Sequence, residues 1–149
     1  MLSPDHFFKK NAYYFPTKNR EKARVAFRRA IRDYYVMQRK YVYEPNTRKR
    51  VSKVIYGAFI KAEKSQNRIV KRIFAGKKTA GRPTRPEIRR LISRLIILWE
   101  ENASSKATLS WKIQTAIPTK FEEFIHNLLP RLGAPDVRRY LENHWKDRK

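Results

Sequence analysis

The chain has 149 residues, of which 36 are Lys or Arg and 13 are Asp or Glu, for a formal charge of +23, and 41% are hydrophobic. The apolar share excludes a disordered polyelectrolyte. The absence of cysteine excludes disulfides and thiolate metal sites, and the longest apolar run, Leu95–Trp99, is far short of the roughly 20 residues of a membrane span.

Residues 1–16, MLSPDHFFKKNAYYFP, lack the basic-then-apolar order of a signal peptide. With the composition, this leads us to expect a soluble, cytoplasmic protein. The segment is aromatic and proline-flanked, and reads as irregular with one short turn. Phe7, Phe8, Tyr13, Tyr14 and Phe15 beside Lys9 and Lys10 offer two uses. They can stack unpaired bases, or they can plug a helical core with their hydroxyls at the rim, the commoner use.

From Thr17 the pattern is helical. Ala23, Phe27, Ala30, Ile31, Tyr34, Met37 and Tyr41 recur at spacings of three and four and define one face. Arg24, Arg28, Arg29, Arg32 and Arg39 fall elsewhere. Pro45 ends the helix by Glu44. The connection PNTRKR is short, and Thr47 is a plausible N-cap for a second helix reaching Phe74. Its apolar residues include Val51, Val54, Ile55, Ala58, Phe59, Ala62, Ile69, Val70 and Ile73, with Lys53, Lys61, Lys64, Arg68, Lys71 and Arg72 largely on the other side. Two long amphipathic helices joined by a short turn predict an antiparallel helical hairpin, residues 17–75, with an apolar seam and a basic exterior.

Residues 76–86 read as a linker, with Gly76, Gly81, Pro83 and Pro86. Thr84 and Glu87 have the spacing of a capping box that opens a third helix with a broad apolar face: Ile88, Leu91, Ile92, Leu95, Ile96, Leu98 and Trp99. A polar connection around Trp111 leads to a second capping box, Thr119 and Glu122. The helix it opens carries Phe121, Phe124, Ile125, Leu128 and Leu129, Gly133 is a good C-cap, and Pro135 starts a last helix with Val137, Tyr140, Leu141 and Trp145 on one side. Residues 87–149 form a C-terminal helical unit, either separate or sharing one core with the hairpin, with Trp99, Trp111 and Trp145 as its anchors. The predicted fold class is all-α.

Charge is distributed unevenly along this plan. Residues 1–94 hold 27 basic and 6 acidic side chains, residues 95–149 hold 9 and 7. Self-repulsion on that scale destabilises a compact state and points to a polyanionic partner, with nucleic acid ahead of an anionic membrane. A solvated helix face normally mixes signs, yet the stretch from Thr47 to Phe74 contains only Glu63 as an acid. The candidate nucleic-acid-binding residues are therefore Arg24, Arg28, Arg32, Arg39, Lys53, Lys61, Lys64, Arg68, Lys71 and Arg72, continued in the linker by Lys77, Lys78, Arg82 and Arg85. Such a face binds phosphates with release of counterions.

Gly81-Arg82-Pro83, with Lys77 and Lys78 before it and Arg85 after, resembles the core of an AT-hook. The resemblance implies an extended segment with Arg82 in a narrow A·T-rich minor groove, where negative potential attracts arginine. Thr84 departs from that pattern, and the alternative is a linker that simply starts a helix. The segment GRPTRPEIRRLISRLIILWEENASSKATLSW also resembles small uncharacterised proteins of proteobacterial prophages and mobile elements. That likeness, over residues 81–149, implies a genome setting and no activity.

Catalytic signals are sparse. Glu122 and His126 at i, i+4 have the spacing of a metal or acid–base pair, but no third ligand has characteristic spacing, and no phosphate-cradling Gly-rich loop or serine elbow is present. No cofactor is expected. The reading is a small basic helical protein that binds RNA or DNA mainly through phosphate contacts. Two alternatives stay open: a phage or mobile-element inhibitor gripping a host nucleoprotein complex, such as an RNA-guided defence complex, and a small nuclease toxin. Peripheral membrane binding is disfavoured because the apolar faces look committed to a core.

Overall fold

A computed structural model describes residues 1–45, 47–75 and 85–146. The protein is mostly helical but not strictly all-α: a two-stranded antiparallel sheet interrupts the helices. By its contacts the chain divides into two compact units, Met1–Tyr34 with Ile88–Lys149, and Tyr35–Glu87. The first is thus assembled from both ends of the sequence.

In the first unit, Ser3 caps helix α1 (Pro4–Asn11) by accepting from the His6 amide, with Pro4 at its first position and Asp5 in its first turn. A 3₁₀ turn, Ala12–Tyr14, follows. The stretch expected to be irregular is therefore ordered and inward-facing: Phe7, Phe8, Tyr14 and Phe15 are buried, while Tyr13 is exposed. Helix α2 (Arg20–Lys40) buries Ala23, Phe27, Ala30, Ile31 and Tyr34, as the spacing predicts. Its first fifteen residues belong to this unit and its last six to the other.

Helix α5 (Pro86–Asn102) buries Ile88, Leu91, Ile92, Leu95, Ile96, Leu98 and Trp99. Helix α6 (Lys120–Leu128) opens with the expected Thr119–Glu122 capping box and inserts Phe124 among the rings of Phe7, Tyr14, Phe15, Phe27 and Trp99, at centroid distances of 5.5–6.0 Å. The 3₁₀ turn Leu129–Leu132 ends at Gly133, whose φ of 73° is open to glycine at little steric cost. Helix α7 (Val137–Lys146) buries Val137 and Leu141. The Tyr34 hydroxyl donates to the Leu132 carbonyl at 3.0 Å, and Arg94 pairs with Asp33. Of the expected tryptophan anchors, Trp99 is fully buried, whereas Trp111 is half-buried under the Arg138 guanidinium.

The second unit corrects the predicted hairpin of two long helices. After α2 the chain forms strands β1 (Tyr41–Glu44) and β2 (Lys49–Ser52), paired Tyr41 with Ser52 and Glu44 with Lys49. Valines and tyrosines suit a pleated, half-buried surface. Ser52, not Thr47, caps helix α3 (Lys53–Lys64) by accepting from the Val54 amide at 3.3 Å. Thr47 is buried instead, its hydroxyl on the Glu44 carbonyl. The second long helix is also broken. Gln66 takes a φ of 58°, the Asn67 amide closes onto the Ala62 carbonyl, and the Asn67 side chain caps helix α4 (Arg68–Ala75) through the Ile69 amide at 3.1 Å. Helices α3 and α4 pack on each other, with Phe59 and Ala62 of α3 buried.

Candidate nucleic-acid interface

The second unit contains fifteen Lys and Arg but only three acidic residues. Two of those, Glu44 and Glu87, are buried. Glu63 on α3 is the one exposed carboxylate among the unit's described residues. Arg39, Lys40, Arg48, Lys49, Lys53, Lys61, Lys64, Arg68 and Arg72 are exposed, and Lys71 is half-buried. Cations this dense, with so little anionic surface among them, repel one another, and a row of phosphates relieves that repulsion.

Glu87 has a structural use for its charge. Its Oε1 takes the Arg85 Nε at 3.0 Å and the Arg50 Nη2 at 3.2 Å, and the carboxylate is fully buried. The two guanidiniums, only 13% and 17% exposed, compensate the desolvation of that carboxylate and tie β2 to the start of α5. Arg85, a candidate phosphate contact from the sequence, is thus held inward on Glu87. Thr84, the proposed capping partner of Glu87, lies outside the described residues, as do Lys77, Lys78 and Arg82 with the Gly-Arg-Pro stretch.

Three of the arginines that α2 contributes to the first unit, Arg24, Arg28 and Arg32, lie beside carboxylates. Arg28 Nη2 meets Asp5 Oδ1 at 2.7 Å, Arg24 meets Glu21 at 2.6 Å and Asp5 at 3.3 Å, and Arg32 lies 3.8 Å from Asp33. The hydrogen bond from Arg28 holds the Asp5 carboxyl below its ordinary value of 3.8, and Arg24 does the same for Glu21. A carboxyl with a lowered folded pKa adds stability above its unfolded pKa, and that increment vanishes as pH falls through the folded value. We therefore expect Asp5→Asn to be less stable than the parent above about pH 4 and to converge with it below. Thermal melts across a pH series check this; both pairs are exposed, so the difference should be small.

The remaining candidate chemistry is accounted for locally. Glu122 is buried, and its oxygens accept from the Ser110 amide and hydroxyl and from the Thr119 amide at 2.7–2.9 Å, while His126 is exposed. Among the described residues no group of three or more His, Asp or Glu is placed to hold a metal ion, and no helix is long and apolar enough to cross a membrane. Burial, then contacts with Tyr13 and Glu123, push the Tyr14 phenol well above its ordinary pKa.

Sequence reasoning passed over the β1–β2 hairpin. It carries Tyr43, 47% exposed, directly opposite Arg50, and its strands are joined through Arg48, whose φ is 50°. The signal was present in the β-favouring run Tyr41, Val42 and Tyr43, too short to stand out beside a 21-residue helix. Val54, Ile55 and Ile69 are also exposed, beside the lysines and arginines of α3 and α4. No protein-family model matches the chain, and no curated protein or solved structure is significantly similar to it.

Proposed function

We propose that the protein binds nucleic acid through its second unit, mainly by contacts from exposed lysines and arginines to the phosphate backbone. The observation that carries this reading is the isolation of Glu63: the unit's other carboxylates are buried, so its exposed charge is almost wholly positive. Backbone contacts position a protein without reading sequence, so binding should be weakly selective. The natural site of such a protein is the cytoplasm, and the likeness of residues 81–149 to mobile-element proteins suggests its genome setting. Exposed Val54, Ile55 and Ile69 favour a second reading, in which the target is a nucleoprotein complex and these side chains meet its protein component.

The test is a salt titration. Binding of a fluorescent single-stranded RNA to the full chain should weaken on the order of fiftyfold between 50 and 200 mM salt if about four phosphates are contacted. A flat response would exclude phosphate-dominated binding.

A further inference from the structure

We infer that the β1–β2 hairpin is a stacking platform for an unpaired base, so that the preferred ligand is single-stranded nucleic acid rather than continuous duplex. This rests on the polyanion reading above and adds a ligand class to it. Alternation along β1 turns the Glu44 side chain inward, where it is 3% exposed, and Tyr43 outward, where it is 47% exposed. An outward ring has no role in the core, but every base has a face that can stack on it. The ring is framed by charge. Its cross-strand neighbour Arg50 is drawn onto Glu87 at 3.2 Å, and the exposed cations that follow it in the chain are Lys49, on the Glu44 face, and Arg48 in the strand connection. A base on the ring therefore brings its flanking phosphates among cations already in place. In a continuous duplex the base faces are covered by their neighbours, and the ring gains nothing.

The strand connection supports the same assignment. Arg48 sits at φ 50°, its amide donating to the Pro45 carbonyl at 3.3 Å. A left-handed backbone is strained for a non-glycine residue, and glycine would make this turn without that strain. What arginine supplies there is its side chain, an exposed guanidinium in the connection between the strands.

The experiment compares two probes by fluorescence anisotropy: a labelled RNA of about 20 nucleotides without self-complementarity, and the same strand annealed to its complement. Tyr43→Leu should weaken the single strand about fivefold, the low end of base–aromatic stacking, and leave the duplex unchanged, while Tyr43→Phe keeps the parent affinity. Arg48→Gly should bind the single strand more weakly while melting at the parent temperature or above it, which separates the side chain from the turn. Equal losses on both probes for Tyr43→Leu, or none on either, would overturn the stacking proposal while leaving phosphate binding intact. If the parent binds neither probe, the polyanion reading falls and the stacking proposal with it.

Discussion

Phe124→Ala is expected to destabilise the unit built from the two chain ends by about 3–5 kcal/mol. Phe124 is fully buried and meets five other rings contributed by α1, the segment after it, α2 and α5. Truncation removes the transfer free energy of the side chain and leaves a cavity that rigid aromatic neighbours fill poorly. Offset and edge-to-face ring contacts add further loss. A domain of this size is stable by about 5–15 kcal/mol, so the variant should unfold near ambient temperature or at low denaturant. Trp99, 5.5 Å from Phe124, is a fluorescent reporter of the transition. The denaturant midpoint should fall with the slope unchanged. Phe124→Leu, which keeps more volume, should fall less. A loss under about 1 kcal/mol for the alanine variant would mean that the rings do not pack as described.

Reversing Lys61, Lys64, Arg68 and Arg72 to Glu should weaken nucleic-acid binding by on the order of a hundredfold or more, while helical circular dichroism is retained. All four side chains are exposed, so replacement creates no cavity and buries no charge. The control is Arg24 and Arg28 changed together to Gln. Those arginines already face Asp5 and Glu21, and removing them should weaken binding much less. Comparable losses in the two variants would show that the whole surface contributes by net charge alone, and that the second unit is no special site.

The parts of the fold that were legible in the sequence are those governed by local chemistry of adequate length. The spacing of Phe27, Ile31 and Tyr34 located the buried face of α2, and the Thr119–Glu122 box and Gly133 located the ends of the α6 region. Ser3-Pro4-Asp5 also carries a helix-start signal, but the aromatic cluster behind it drew the reading toward an irregular segment. The β hairpin was missed because each strand is four residues long, and Pro45 ends a helix as readily as it enters a turn. The break at Ser65-Gln66-Asn67 was missed because apolar residues keep nearly helical spacing across it. The candidate site was half legible. Composition identified a basic region, but no local signal tells an arginine facing solvent from Arg50 or Arg85, whose partner Glu87 lies buried between them.

The assembly of one unit from both ends of the chain has a consequence during synthesis. Phe7, Phe8, Phe15 and Phe27 leave the ribosome first, yet Phe124, the ring that joins them, is made roughly a hundred residues later. At 5–20 residues per second the delay is on the order of ten seconds. Through that interval the nascent chain displays an aromatic cluster with most of its core still to come, while the second unit, continuous in sequence, is already complete. The order of synthesis thus completes the basic unit first and leaves the aromatic core without its central ring until α6 is translated.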